Sequence, residues 1–593
     1  MLTCLAAVLV SGIAAAAWLG SRASIIKNEL EASSQLVPVL KDNIAGNKQE
    51  EANATVARLR GHTAAAREAA GDPLWTLASA VPGIGENFSA IAEVSRSADD
   101  VSTLGVAPLV KVFESLNWDS LLPSSGGTDL GPIRSASPSV SAAAHAVRAS
   151  AERLSGIDAD TLWPQVAEPL RLARQQLQTV TGALDAAASV AKIAPGMMGA
   201  DGQRSYLLMI QNNAEARASG GIPGALAVLT LDKGRLTLGA QSSTADFGIM
   251  SQILPVDPEQ QQIYSPRLGM YLQDVNLTPD FPTAAGTAQA MWEKKTGQHV
   301  DGVVSIDPVA LGYVLDATGP VKVTGPDLLA LTNTGLPAEL TGKNIVQTLL
   351  SDVYAKISRP QLQDVYFAGV AREVFAALSN GNGESKNIIN GLSHAAAEGR
   401  VLLWSGSIDE QSVIGAYPLS GSISGPSVPP AQFGVYFNDG TGAKMDYFVK
   451  RTVQLVKECP GDGYQQIRVR ITSTNTAPAD AATSLPAYVT GGSDVNVSRG
   501  AVRTNVIAYG PAQADVETAS VDGKKTGFAA HRHANRPVGS VTVTLAPGQS
   551  STVEFSFGRI VQHTEPNVVV TPTVQPVKDV VLATENDNCE AYK

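Results

Sequence analysis

Tyr206-Leu-Leu-Met-Ile-Gln-Asn-Asn-Ala-Glu-Ala-Arg-Ala-Ser-Gly-Gly-Ile-Pro-Gly-Ala-Leu-Ala-Val-Leu-Thr-Leu231 sets a polar, glycine-containing segment between two apolar runs. Tyr206–Ile210 and Ala225–Leu231 read as buried strands, with Gln211–Gly224 as the connection between them. Glycine permits positive φ and close approach of another group, while Asn212, Asn213, Glu215 and Arg217 supply directional polar atoms. Such a cluster at the end of a buried strand is where an α/β sheet usually holds its ligand. A solvated turn with a structural Glu215–Arg217 pair fits the spacing equally well.

Outward from this stretch, strands and helices alternate from Asp201 to about Ser420. Gly302–Ile306 reads as a third strand, and Pro282–Thr296 and Pro308–Ala317 read as helices. Asn344–Leu378 is a helical tract interrupted at Arg359-Pro360. This alternation predicts an α/β layered domain over 196–420. Gly421–Pro430 is a Pro/Gly/Ser linker. Beyond it, Thr452–Lys457, Gln466–Thr472, Asn505–Tyr509, Ser540–Leu545 and Ser551–Phe557 predict a β-sandwich over 431–593.

On the N-terminal side, 22–195 is alanine-rich and helical. Val166, Leu170, Ala173, Leu177, Val180, Leu184 and Ala187 recur at four and three residues, the seam of a packed helix pair. Leu36, Leu40, Ile44, Val56 and Leu59 suggest an earlier helix, with a flexible joint at Pro123–Gly127. A stalk or hairpin results, with a surface open to protein partners. Leu2 to Gly20 carries no charge and approaches the ~20 apolar residues that span a bilayer. Trp18 and Arg22 at its edge predict a retained anchor over 1–21 in preference to a cleaved signal peptide.

The length of 593 residues exceeds a single core of roughly 250–300 residues. With 44% hydrophobic and 17% charged residues the chain is ordered, and its net charge of −11 argues against nucleic acid as a partner. Of three cysteines, Cys459 and Cys589 flank the β region, which predicts a disulfide and an extracytoplasmic location. There is no Walker A sequence, no Gly-x-Ser-x-Gly elbow and no His-Glu-x-x-His motif.

What remains is carboxylates and arginines. Asp274, Asn276 and Asp280 group on an apparent loop, as oxygen ligands for Mg²⁺ would. Capping of the helix near Pro282 is the reading for Asp280, and Asp274 stays open. Lys356, Arg359 and Arg372 lie along one helical tract; guanidinium forks match phosphate geometry, although solvated helix residues are the ordinary reading.

Gln211–Gly221, Asp274–Pro282, Asp301–Leu311 and Phe437-Asn-Asp-Gly-Thr-Gly-Ala-Lys-Met-Asp-Tyr447 resemble the motifs of domain-of-unknown-function family 4012, a bacterial cell-surface group. Ser305–Val321 is similar to a stretch of the LytR-CpsA-Psr phosphotransferases, which move a glycopolymer from a polyprenyl-pyrophosphate carrier onto the wall. That second resemblance implies Arg217, Arg359 and Arg372 around the pyrophosphate, and Glu215 or Asp274 holding Mg²⁺. Asp274 would deprotonate the acceptor. The tract departs from that family in its widely spaced arginines and in the Ala-Ser-Gly-Gly after Arg217.

The expected fold class is therefore multidomain α+β: transmembrane helix, helical stalk, an α/β domain like the LytR-CpsA-Psr core, and a C-terminal β-sandwich. The expected protein is anchored in the cell membrane by a single pass, with its bulk outside. It binds a polyprenyl-phosphate-linked glycan or wall polymer, with or without transfer. A non-catalytic surface scaffold is the alternative.

Overall fold

Alanine and leucine carry the first unit, residues 1–120 and 129–201, because both have high helix propensity and alanine lets helices approach closely. In the computed structural model, residues 2–45, 48–115, 127–380, 383–461, 463–491 and 496–587 are described. The helices of this unit are α1 (Leu2–Ala45), α2 (Gln49–Ala70), α3 (Pro73–Ser79), α4 (Gly85–Asp100), α5 (Ala107–Ser115), α6 (Gly131–Ser155) and α7 (Pro164–Met197). Asp72 caps α3 by accepting from the Leu74 N–H, with Pro73 at the first helical position. The seam predicted on α7 holds at its start: Val166 and Leu170 are buried with Ala90 and Leu154. Val180 and Ala187 are exposed, so the stripe opens towards the C-terminal half. Most of the joint predicted at Pro123–Gly127 lies outside the described residues.

The expected membrane anchor is corrected. Among the described residues no helix is long and apolar enough to cross a membrane, so the structure does not support a single-pass protein. The run Leu2–Gly20 opens a 44-residue helix, and that helix commits to its own unit from Trp18 onward. Trp18 Nε1 donates to Asp72 at 3.1 Å, and Arg22 pairs with the same carboxylate at 3.2 Å while stacking over the Trp18 ring. Ile26 is buried against Ala69, Ala70 and Trp75, with Leu19, Ala23 and Leu30 packed beside them.

The second unit holds 121–128 and 202–593. Its first sheet contains β1 (Arg204–Arg217), β2 (Gly220–Asp232), β3 (Arg235–Ser243) and β4 (Gly302–Ile306). After the short ribbon β5 (Val321–Lys322) and β6 (Glu339–Leu340), the strand β7 (Val401–Ser405) completes it in the order β3-β2-β1-β4-β7. Only β1 and β4 run parallel; the other neighbours are antiparallel. The sheet is therefore mixed, without the repeated parallel crossovers of a doubly wound fold. Leu207, Met209, Leu226 and Val228 pack its core against the helix Phe281–Thr296.

The C-terminal region consists of two facing sheets, β13-β12-β16-β10-β9-β18 and β14-β15-β11-β8-β17. Their strands are β8 (Gln432–Asp439), β9 (Val449–Gly461), β10 (Tyr464–Asn475), β11 (Val502–Tyr509), β12 (Asp515–Val521), β13 (Lys524–Thr526), β14 (Ala529–His533), β15 (Arg536–Leu545), β16 (Ser550–Ile560), β17 (Asn567–Val570) and β18 (Glu585–Asn586). Phe433, Phe437, Leu455, Val469, Val506 and Phe555 fill the space between them. The predicted linker is pinned, since Arg536 donates to the Ile423 carbonyl at 2.9 Å. Cys459 stands in β9 and is disulfide-bonded, while the partner predicted for it, Cys589, lies outside the described residues.

Candidate functional site

The segment expected to be a loop is strand. β1 continues through Gln211–Arg217 and returns as β2 after the two residues Ala218 and Ser219. Its register shifts at Ile210/Gln211 and between Asn212 and Ala216, as bulges allow. Two glycines make the close return feasible. At Gly220 (φ +139°) a Cβ would sit 1.8 Å from the Gln211 side-chain oxygen, and at Gly221 it would sit 2.1 Å from the Asn212 backbone. Gln211 fixes the turn by accepting from the Gly221 N–H at 2.9 Å and donating to Ser305 at 2.6 Å.

The end of this hairpin docks on the sandwich. Ala216 N–H donates to Asp446, and Ala218 N–H donates to Asn438 at 2.9 Å. Asn438 in turn donates to the Leu277 carbonyl at 2.9 Å. Thr571 bridges by donating to the Ala218 carbonyl and accepting from Phe437 N–H. Asn213 donates to Asp307 and to the Pro572 carbonyl, both at 3.1 Å. Arg400 holds the same Asp307 at 2.8 Å and binds the carbonyls of Thr573 and Gln575.

A buried ionic network fills the junction. Arg217, 6% exposed, donates to Glu215 at 3.1 Å and to Asp274 at 3.2 Å. The other Asp274 oxygen is held by Arg267 at 2.6 Å, and that guanidinium stacks over Tyr271. Lys444 binds the second Glu215 oxygen at 3.2 Å and lies over the Tyr354 ring. Burial pushes the Glu215 carboxyl up, but Lys444 and Arg217 outweigh it and hold it below its ordinary value. Arg451, wholly buried, pairs with Asp446 and stacks over Phe437. Asp439 accepts from Thr441 and from the Gly442 N–H, yet burial and the nearby Asp446 and Glu215 push it up to about 7.

Beside this network, at the end of the sheet, lies a cavity of about 670 Å³. Ile210, Ile222, Leu226, Leu349, Leu350 and Val370 form much of its wall. Asn212, Glu215, Tyr354 and Lys444 form its polar end, where Asn212 donates to the Tyr354 hydroxyl. Asp246 and Asp364, both exposed, also line it.

The residues predicted as a phosphate clamp are not brought together. Arg217 is sealed among carboxylates and does not line the cavity. Arg359 and Arg372 are exposed and do not line it either, although the helix Pro360–Ser379 forms one wall. Of the predicted ligand-binding residues, Asn212 and Glu215 face the cavity and Asn213 does not. Asp274 is 1% exposed, held by two arginines and absent from the cavity lining. The carboxylates do not fit Mg²⁺, because both oxygens of Glu215 and of Asp274 already accept from cationic groups. No group of three metal-ligating side chains occurs among the described residues. Asp280 occupies the N-cap position, but its carboxylate accepts from the Thr283 hydroxyl at 2.6 Å and from the Ile423 N–H at 3.4 Å, not from a backbone N–H of the helix.

Two motif segments thus meet in space, Gln211–Gly221 and Phe437–Tyr447. Residues 201–354 match the family described as "Protein of unknown function (DUF4012)". That stretch is similar to the DUF4012 family. No curated protein matches the chain. The match does not carry the likeness to LytR-CpsA-Psr proteins expected from Ser305–Val321. The matched segment supplies the hairpin, Asp274, Asp307 and Tyr354. Its ionic partners Asp439, Lys444, Asp446 and Arg451 stand outside it, and sequence reading assigned them no role. The available signal was charge: each segment carries both signs within a few residues, so each can neutralise the other.

Proposed function

We propose that this chain is a binding protein for an amphiphilic molecule, whose apolar chain occupies the cavity and whose polar end meets the polar side chains of its lining, among them Asn212, Asp246, Tyr354 and Asp364. The supporting observation is the cavity: its volume falls within the 300–1,000 Å³ usual for small-molecule sites, and its walls are mainly apolar. Each methylene removed from water contributes about 0.8 kcal/mol, so a short run of them offsets part of the cost of association. A polyprenyl chain belongs to this class of ligand. Transfer chemistry is not proposed, since Arg217, Glu215 and Asp274 are engaged with one another and Arg359 and Arg372 do not line the cavity.

The test is saturable binding of a fluorescent long-chain alcohol to the full chain and to Ala371→Trp, which fills the cavity from the Pro360–Ser379 wall. Wild type is expected to bind, and the variant to bind at least ~tenfold more weakly with an unchanged unfolding midpoint. Equal binding by both, or no binding by wild type, overturns the proposal.

A further inference from the structure

The charged groups of the cavity are unevenly matched. Among the described residues, Glu215, Asp246 and Asp364 line it against a single cation, Lys444. Lys444 is already committed to Glu215 at 3.2 Å and to the Tyr354 ring. The nearest buried guanidinium, Arg217, is committed to Glu215 and Asp274 and lies behind the wall. Among the described residues, Asp246 and Asp364 form no ion pair. The Asp246 carboxylate accepts from the Ser243 N–H at 3.1 Å and from the Ser242 hydroxyl at 3.3 Å. Partial desolvation and then Asp246 raise the Asp364 carboxyl from its ordinary value, so the two carboxylates sense each other.

We infer that the cavity discriminates by charge, taking an amphiphile whose polar end is an ammonium or an uncharged group and rejecting a phosphate ester. The inference rests on the cavity being the ligand site. A phosphate entering it would face three carboxylates, and the one ammonium is already balanced by Glu215. An ammonium would find Asp246 and Asp364 without a cation, with the apolar wall behind them for its chain. Discrimination of this kind comes as much from repelling the wrong charge as from attracting the right one.

Three probes sharing one farnesyl chain separate the possibilities: the primary amine, the alcohol and the phosphate monoester. Wild type is expected to bind amine and alcohol at least ~tenfold more tightly than phosphate. In Asp246→Asn/Asp364→Asn the preference for amine over alcohol should fall several-fold while alcohol affinity holds, because neither change alters the apolar wall. Phosphate bound most tightly by wild type, and lost in Ala371→Trp, overturns the charge inference and leaves the cavity reading standing. An amine preference unchanged in the double variant also overturns it. Alcohol affinity indifferent to Ala371→Trp overturns the cavity reading itself.

Discussion

Replacing Arg217 by methionine is expected to destabilise the second unit by about 3–5 kcal/mol, the cost typical of removing one partner from a buried ion pair. The guanidinium is buried and donates to Glu215, Asp274 and the Ala216 carbonyl. Without it, two carboxylates face each other inside the protein. Lys444 still holds one oxygen of Glu215, and Arg267 still holds one oxygen of Asp274. Burial disfavours the Arg217 charge, but Glu215 and Asp274 outweigh that penalty and hold its pKa above the ordinary value. Urea unfolding measures the effect as a lowered midpoint. Arg359→Ala and Arg372→Ala, at exposed positions, are expected within ~0.5 kcal/mol of wild type. Adding Glu215→Gln and Asp274→Asn to the methionine variant should recover part of the loss, since the cost is mostly that of stranded charge. An Arg217→Met protein with an unchanged midpoint and altered ligand affinity would instead place this guanidinium at a ligand.

Local chemistry was legible in the sequence wherever a segment carries its own reason to fold. The helix after Asp307-Pro308 runs Pro308–Thr318, with Asp307 accepting from the Ala310 N–H at 2.8 Å. Periodicity of two placed β9, β10 and β16, because each buries one face only. The same rule hid β8, whose eight residues are all buried and show no alternation. Gln211–Arg217 read as a loop because asparagine, glutamate and arginine rarely occupy buried strand. They do so here because most of their partners stand far along the chain, as with Asp274 on Arg217, Asp307 on Asn213 and Lys444 on Glu215. Nothing local to the hairpin announces those partners. The apolar run at the N-terminus misled for a related reason. Small apolar side chains suit a lipid-facing helix and a tightly packed helical unit alike, and here Trp18, Leu19 and Ile26 turn to neighbours in their own unit.

Asp439 gives the second large effect, read as a dependence on pH. Its carboxyl is raised from 3.8 in the unfolded chain to about 7 in the folded one, by burial first and then by Asp446 and Glu215. As pH rises from about 4 to 7, the unfolded chain loses this proton and the folded protein keeps it, so stability falls through that window and levels above it. At ~1.36 kcal/mol per pH unit over about three units, the penalty is on the order of 4 kcal/mol. Glu215 acts in the opposite sense: its depressed pKa contributes stability above the ordinary carboxylate value, lost as pH falls below it. His533, held low by burial, also favours folding as pH rises, within the window where Asp439 opposes it. The difference between wild type and Asp439→Asn isolates the one group. Asparagine keeps the local bonds, since its oxygen can accept from the N–H groups of Thr441 and Gly442 while its amide donates to the Thr441 hydroxyl. The variant should match wild type near pH 4 and exceed it by about 2–4 kcal/mol at pH 8, measured by urea unfolding across the range. A difference that does not change with pH would show that Asp439 ionises in the folded protein as it does in the unfolded chain. Asp439, Asp446 and Glu215 would then be held by Arg217, Lys444 and Arg451 without strain.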